Sequence, residues 1–343
     1  MKFGLFGGAR LGPNNPLGDS YNYKDFVAYV RDAEELGYES IFLVEHHFTG
    51  AGQLSASLNL LSYLAACTTR IRLGTAVVVL PWHNPVLLAE QVATLDVLSG
   101  GRVDLGVGRG YRKIEFEQFC IPMEEAQERY SECLEVMLKA WSTQGRFSHH
   151  GKRWHFKDIV VEPAPRQQPH PPIWMAAGTP GGIAYVSSQN YGLLLDQLAT
   201  LDQVQERVRL YLDGLSAKGY PRDAARVGVT RALNMVTTEE ERRKALERRR
   251  ETFKSIGDIA RRAGGDGPTS YDDMIAADDA GLIGTPEEIV EKLQELGARG
   301  VEYVLLTNAV ANRKTLELFA REIAPHVAHV PARVTQGKTV AAG

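Results

Sequence analysis

The sequence predicts an α/β fold, a (β/α)8 TIM barrel with excursions. Three observations predict it. Eight short runs rich in β-branched or large apolar residues recur along the chain; longer amphipathic stretches follow most of them; Gly- and Pro-containing turns separate the two. Alternating strands and helices imply a parallel sheet. Eight such units in one chain favour a closed barrel over an open doubly wound sheet. A single domain over residues 1–330 holds all of them, and the Ala-, Thr- and Gly-rich residues 331–343 read as a flexible tail.

The elements follow in order. Lys2–Phe6, inside MKFGLFGG, reads as the first strand; its one lysine and short apolar stretch lack the core of a secretory leader. Tyr23–Leu36 is a helix, and Gly37 suits its C-terminal stop. Glu39–Val44 is a strand, Leu54–Ala66 a helix, and the valine-rich Ile71–Leu80 a strand. Pro85–Leu98 is a helix closed by Ser-Gly-Gly, Arg102–Gly108 a strand, and Met123–Trp141 a helix.

The rhythm breaks over residues 145–171, where GRFSHHGKRWHF precedes the proline-rich EPAPRQQPHPP. A crossover helix cannot absorb that many prolines, so this stretch reads as a hairpin excursion with a rigid linker. Ile173–Ala177 resumes the pattern, with a helix from Pro180, a strand over Gly192–Asp196, a helix over Gln203–Ala217 and a strand over Val227–Val236. A second excursion, 238–283, is highly charged at first (EEERRKALERRRE) and then turn-rich (GGDGPTSYDD). It reads as a solvated helix and a mobile lid open to proteolysis near Gly264–Gly267. Pro286–Leu296, Glu302–Thr307 and Arg313–Pro325 complete the alternation as helix, strand and helix.

Composition narrows the function. A formal net charge of −3 gives no sign of a nucleic-acid surface. No apolar run reaches the roughly 18 residues of a membrane helix. Cys67, Cys120 and Cys133 are odd in number and lack CxxC spacing, which argues for a reducing, cytoplasmic setting and against a disulfide framework or zinc site.

Barrel chemistry sits at the C-terminal strand ends. The second strand ends in EHHF, residues 45–48. Glu45, His46 and His47 there are metal ligands, acid/base groups or a satisfied polar cluster. Successive residues of a strand face opposite ways, so the two histidines cannot grip one metal together as an HxH or HExxH pair does. Metal is the poorer reading, and a single histidine facing the mouth suits proton transfer. Phe42, Val44 and His46 share one face; Ile41, Leu43, Glu45 and His47 share the other; parity alone does not say which looks inward.

Two further ends carry anion chemistry. AAGTPGG after the fifth strand leads into a helix whose free N–H groups and positive dipole end point at the loop. Gly178, Gly181 and Gly182 open the backbone, and Thr179 is either an N-cap or an anion ligand. GVGRGY after the fourth strand places Arg109 among glycines beside that turn, and together the two ends make one composite phosphate site. Arg129, early in the next helix, either adds a second positive charge or pairs with Glu125 or Glu132 at helical spacing. Trp82, Tyr111 and Trp174 are candidate walls of an apolar cavity or plain packing groups.

EHHFTGAGQ, LGTAVVVLPWHNP, LSGGRVDLGVGRGY and GTPEEIVEKLQELGARGVEYVLL together resemble the bacterial luciferase-like flavin-dependent monooxygenases, over about residues 1–325. The first three motifs fall in the same order with nearly ungapped spacing. That resemblance implies reduced FMN at the strand ends, O2 as co-substrate and oxidation of a small organic substrate. His46 matches the family's catalytic histidine, with Glu45 beside it to orient or charge the cluster. Ala76 and Val77 match the place of a non-proline cis peptide under the flavin ring. Arg109, Ala177, Gly178 and Thr179 match the phosphate side, Arg129 looks like an arginine that many members carry, and Tyr111 is counted with the cofactor contacts. His83, Asn84, Trp82 and Trp174 are assigned to the substrate pocket. Gly108 stands where true luciferases have cysteine and Asn84 where they have histidine, so a non-luminous member fits better.

No NAD(P)H-binding unit is visible, so a separate NAD(P)H:flavin reductase would supply the reduced FMN. The resemblance also implies a homodimer. The alternatives are an F420-dependent hydride-transfer enzyme on the same barrel, a flavin-binding protein without turnover, and a metal-dependent barrel hydrolase, which the histidine parity disfavours.

Overall fold

The structure, a computed structural model, describes residues 1–9, 19–48, 54–224, 226–262, 280–307 and 313–327. Twelve strands are described: β1 Lys2–Gly7, β2 Ser40–Leu43, β3 Arg72–Thr75, β4 Val78–Val79, β5 Val103–Gly108, β6 Phe147–His150, β7 His155–Ile159, β8 Ile173–Ala176, β9 Gly192–Leu195, β10 Val227–Met235, β11 Leu282–Gly284 and β12 Tyr303–Thr307. Between them run α1 Asp19–Glu35, α2 Ser57–Cys67, α3 Pro85–Leu98, α4 Lys113–Gln118, α5 Ala126–Ser142, α6 Pro180–Ser188, α7 Leu201–Ala217, α8 Glu239–Arg262, α9 Pro286–Ala298 and α10 Arg313–Glu322.

Eight strands close into a parallel barrel in the order β1-β2-β3-β5-β8-β9-β10-β12, with β12 returning to β1. That is the fold class expected from the alternation. Short β4 lies against β5, and β11 against β10. The hairpin expected within 145–171 is β6–β7, antiparallel. The charged start of the 238–283 excursion is α8; Gly264–Gly267 and the tail from Pro331 lie outside the described residues.

Two cores hold the molecule. The larger fills the space between strands and helices, with Ile41, Leu43, Leu73, Leu105, Val107, Ile173 and Leu193 pointing outward into it. The smaller lies inside the barrel and comprises Phe42, Trp174, Leu194, Tyr303 and Leu305. Phe42's face of β2 therefore looks inward, which resolves the parity that the sequence left open. Glycines make the inner layer possible. A Cβ on Gly74 would run into the Phe42 ring, and one on Gly192 into the indole of Trp174. With both positions bare, Phe42, Trp174 and Tyr303 meet edge to face at centroid distances of 6.0–6.3 Å.

Three elements differ from expectation. The strand expected over Ile71–Leu80 is broken: β3 ends at Thr75, the Ala76–Val77 peptide is cis, and β4 precedes a 3-10 turn over Leu80–Trp82. The valine run is thus divided between two strands with a gap at the barrel's mouth. Short α4 and three-residue β11 carry no periodic apolar pattern long enough to announce them.

Candidate active site

EHHF lies just beyond β2, at the C-terminal end of the barrel. The two faces that parity separates take different partners. His46 Nδ1 sits 3.2 Å from Glu115 Oε1, and the same oxygen accepts the His47 backbone N–H at 2.8 Å. Glu115 comes from α4, on the loop after β5, and is 1% exposed. Arg112, 3% exposed, places Nη1 4.0 Å from that oxygen and its guanidinium carbon 5.5 Å from the Tyr111 ring centroid. Tyr111 is exposed and meets the His46 ring edge-on at 6.3 Å. Burial holds the His46 pKa below the usual imidazole value; the Glu115 contact opposes this and the Arg112 charge adds to it.

Glu45 does not touch His46. Its Oε1 lies 2.9 Å from His83 Nε2 and 3.3 Å from His47 Nε2, and its Oε2 accepts the Val79 N–H at 2.7 Å. Burial alone would raise this carboxyl; the histidine contacts and the Val79 N–H overcome that and hold it at about 2. Glu45, expected to orient or charge the cluster, makes its hydrogen bonds to His47 and His83 and acts on His46 only through its charge. Glu45 clamps the end of β2 to β4 and the turn after it, and Glu115 is the carboxylate at His46. The spacing of 69 residues hid that partner. Arg112 and Glu115, three apart in YRKIE, are a helical pair that could have been noticed.

The loops around the histidines are aromatic. Trp82 stacks on Phe119 with centroids 5.3 Å apart, and both rings meet the His47 ring edge-on, at 5.4 and 4.8 Å. Phe48, about half exposed, packs on Phe119 at 5.0 Å. Trp82 thus stands at the rim where a pocket wall was expected, and His83 stands beside it, engaged by Glu45. Asn84 has another task. Its Oδ1 accepts the Val86 and Leu87 N–H groups at 3.0 and 3.2 Å and so caps α3, with Pro85 at the first helical position.

Trp174 is moved outright. It lies 5% exposed in the inner core, beside Gly192 and Gly106, and its indole N–H donates to Asp104 Oδ1 at 3.3 Å. Asp104 and Tyr303 stand at the N-terminal starts of β5 and β12, so Trp174 belongs to the floor of the barrel and not to its mouth. Its position at the second residue of β8, away from the strand's C-terminal end, is the signal that should have placed it there.

At the opposite side of the mouth the loop after β8 carries Ala177, Gly178 and Thr179 into α6. Thr179 is the N-cap, accepting the Gly182 N–H at 3.3 Å, and Pro180 follows. A Cβ on Gly181 would meet nothing within 4 Å. Sequence reading missed Arg207. From α7, its guanidinium lies 3.3 Å from where a Gly178 Cβ would stand, and it pairs with Asp196 at 2.9 Å. Arg109 is exposed at the end of β5 and makes no ion pair with a described residue. Arg129 is paired with Glu125 at 2.9 Å, which also takes Arg153 at 2.9 Å, so the pairing open at helical spacing is the one observed.

These residues fit a planar ligand with an anionic tail. Ala76, Gly108 and Ala176 leave the rim between the histidines and the α6 turn without bulk. A Cβ on Gly108 would collide with Val77 Cγ2, so a side chain there requires Val77 to shift. The α6 start offers N–H groups and a positive dipole end, with Arg207 beside it. Among the described residues no group of three or more His, Cys, Asp or Glu is arranged to hold a metal, and no helix is long and apolar enough to cross a membrane.

Comparison with known proteins places the whole chain. The chain is 30% identical over 317 residues to the FMNH(2)-dependent dimethylsulfone monooxygenase of Pseudomonas putida, covering 86% of this chain and 85% of that protein. It is 29% identical over 224 residues to the oxygenase component of the flavin-dependent trigonelline monooxygenase of Acinetobacter baylyi (strain ATCC 33305 / BD413 / ADP1), covering 64% and 61%. An uncharacterized protein of Sinorhizobium fredii (strain NBRC 101917 / NGR234) is 34% identical over 166 residues, and there the match spans about half of each chain, 48% and 47%.

Among solved structures, the monooxygenase RslO1 of Streptomyces bottropensis superposes with a TM-score of 0.80 at 28% identity, covering 95% of this chain and 99% of that one. An F420-dependent secondary alcohol dehydrogenase superposes with a TM-score of 0.77 at 16% identity, covering 95% and 99%, a likeness of fold alone. The model of the family described as luciferase-like monooxygenase matches residues 1–303. On that match the chain belongs to the luciferase-like monooxygenase family.

Proposed function

We propose that this protein is the oxygenase of a two-component system, using reduced FMN and O2 to oxidise a small organic substrate. The observation that carries the reading is the arrangement of one mouth: a partly buried imidazole, His46, paired with the buried Glu115 carboxylate stands at one side, and a capped, glycine-opened helix start stands at the other. An FMN-dependent relative of similar length supports the cofactor, and a relative described as an oxygenase component supports a separate NAD(P)H:flavin reductase as the supplier. A homodimer, as the resemblance implies, belongs to the same reading.

Bound reduced FMN supplies the two electrons that activate O2. The chain's own residues do the rest. The turn Ala177–Thr179, with Arg109 and Arg207, would hold the phosphate; Ala76, Val77 and Gly108 would leave room for the ring. Phe48, Trp82, Phe119 and Tyr111 would exclude water from the mouth. His46 would take or give a proton beside the reacting groups.

The F420 reading rests on fold likeness, and oxygen separates the two. Purified protein given FMN, NADH and a flavin reductase is tested under 18O2 against a panel that includes dimethylsulfone, trigonelline and an alkanal. Labelled product that depends on reduced FMN supports the proposal. Oxidation of an alcohol under argon with F420 as the electron acceptor would replace it.

A further inference from the structure

We infer that Glu115 is a positioning residue that holds His46 as its Nδ1–H tautomer, so that His46 works as a proton acceptor at Nε2; the inference rests on the flavin monooxygenase reading of the same site. The geometry assigns the tautomer. Glu115 Oε1 already accepts the His47 N–H at 2.8 Å, and a carboxylate oxygen has two lone pairs. Its second contact, His46 Nδ1 at 3.2 Å, completes the set when Nδ1 carries the hydrogen and donates. Nε2 is then the unprotonated nitrogen, and it has no hydrogen-bond partner among the described residues.

The surroundings favour that state. Glu115 and Arg112 are buried to 1% and 3% exposure, on a short helix and at its start, so neither can swing away without repacking. His47, the neighbouring imidazole, is held separately by Glu45, and that carboxylate is committed to His47, His83 and Val79. The exposed Tyr111 meets the ring edge-on. Among the described residues, the titratable groups around His46 are Glu115, Arg112, Tyr111, His47 and, at longer range, Glu45. Burial and Arg112 keep the resting ring neutral at neutral pH, while Glu115 stabilises the cation that forms on proton uptake.

The step balances simply. An O–H or N–H bond of the bound reactant breaks, its electron pair stays on the reactant, and an N–H bond forms at Nε2. Nδ1–H then donates to a carboxylate as part of an imidazolium, a charge-assisted bond stronger than before. No electron changes owner.

The test reads the ring without needing turnover. Full-length protein is labelled with 15N-histidine, His46 is assigned by difference from His46→Gln, and long-range 1H–15N spectra are recorded from pH 5 to 9. The wild type should show an unprotonated Nε2 above pH 7 and a His46 midpoint below the usual imidazole value. Glu115→Gln, which keeps size and a hydrogen-bonding group, should lower the midpoint by about one pH unit, the least expected for losing an opposite charge at this range. Glu115→Ala should lose the Nδ1–H preference. An Nε2–H tautomer in the wild type, or a midpoint that Glu115→Gln leaves in place, would overturn the inference. A correct tautomer in a protein that never binds reduced FMN would leave the positioning of His46 by Glu115 standing and remove the function proposed above.

Discussion

Glu45 Oε1 and His83 Nε2 lie 2.9 Å apart across 38 residues of chain, and the contact ties the end of β2 to the turn after β4. The same carboxylate accepts the Val79 N–H at 2.7 Å. Adjacent Glu45 and His46 therefore have different partners: Glu45 holds the mouth in shape, and His46, paired with Glu115, is the residue proposed to work in it.

Glu45→Ala should destabilise the fold by about 3 kcal/mol or more, because a buried N–H and two imidazoles lose their common acceptor. Urea denaturation checks this. The pH dependence has a definite sign. Glu45 titrates at about 2 when folded and at 4.5 as a free carboxyl. A depressed folded pKa means that its stabilisation is fully present above 4.5 and is lost as pH falls from there toward 2. Glu45→Gln should flatten the stability curve in that window.

Gly108→Ala should weaken reduced-FMN binding and cost about 1–3 kcal/mol of stability, since the new methyl group meets Val77 Cγ2. Gly108→Cys should do at least as much harm. Unchanged melting and flavin affinity in both variants would mean that Val77 yields freely and that the bare rim is not required.

Arg109→Ala and Arg207→Ala should each weaken FMN more than riboflavin, because only FMN carries the phosphate. A charge-assisted contact contributes roughly 1.5–3 kcal/mol, or about 10- to 100-fold in affinity. Equal losses for both ligands would take that arginine out of the phosphate site. Arg207 also pairs with Asp196, so thermal melting of its variant separates lost binding from a loosened α7.

Trp174→Ala should destabilise the protein by about 3–5 kcal/mol through the cavity it opens among Phe42, Tyr303 and Leu194. At a temperature where the variant stays folded, substrate preference should not change. A changed preference would return Trp174 to the pocket.

What the sequence made legible follows from range. Strands such as Tyr303–Thr307 and Gly192–Leu195 show as local apolar runs, and Pro85 and Pro286 mark helix starts at the first helical position. The Gly178–Thr179 turn was likewise readable from a short motif, and the cis peptide at Ala76–Val77 only through the family resemblance. Contacts made by barrel closure were not. Glu115 reaches His46, and Arg207 reaches Gly178, only because neighbouring strand ends converge at one mouth. Trp174 misled because an aromatic residue near a glycine-rich loop looks the same in sequence at the floor of a barrel as at its rim. Asn84 misled because a helix cap and a polar pocket residue use the same amide.

The most direct measurement is an anaerobic titration of the purified protein, side by side, with photoreduced FMN, reduced FAD and reduced F420. Saturable binding of reduced FMN is expected, tighter than FAD because the α6 turn offers a single anion site, and tighter than F420. Preferential binding of F420, or FAD bound as tightly as FMN, would contradict the assignment of this mouth to reduced FMN.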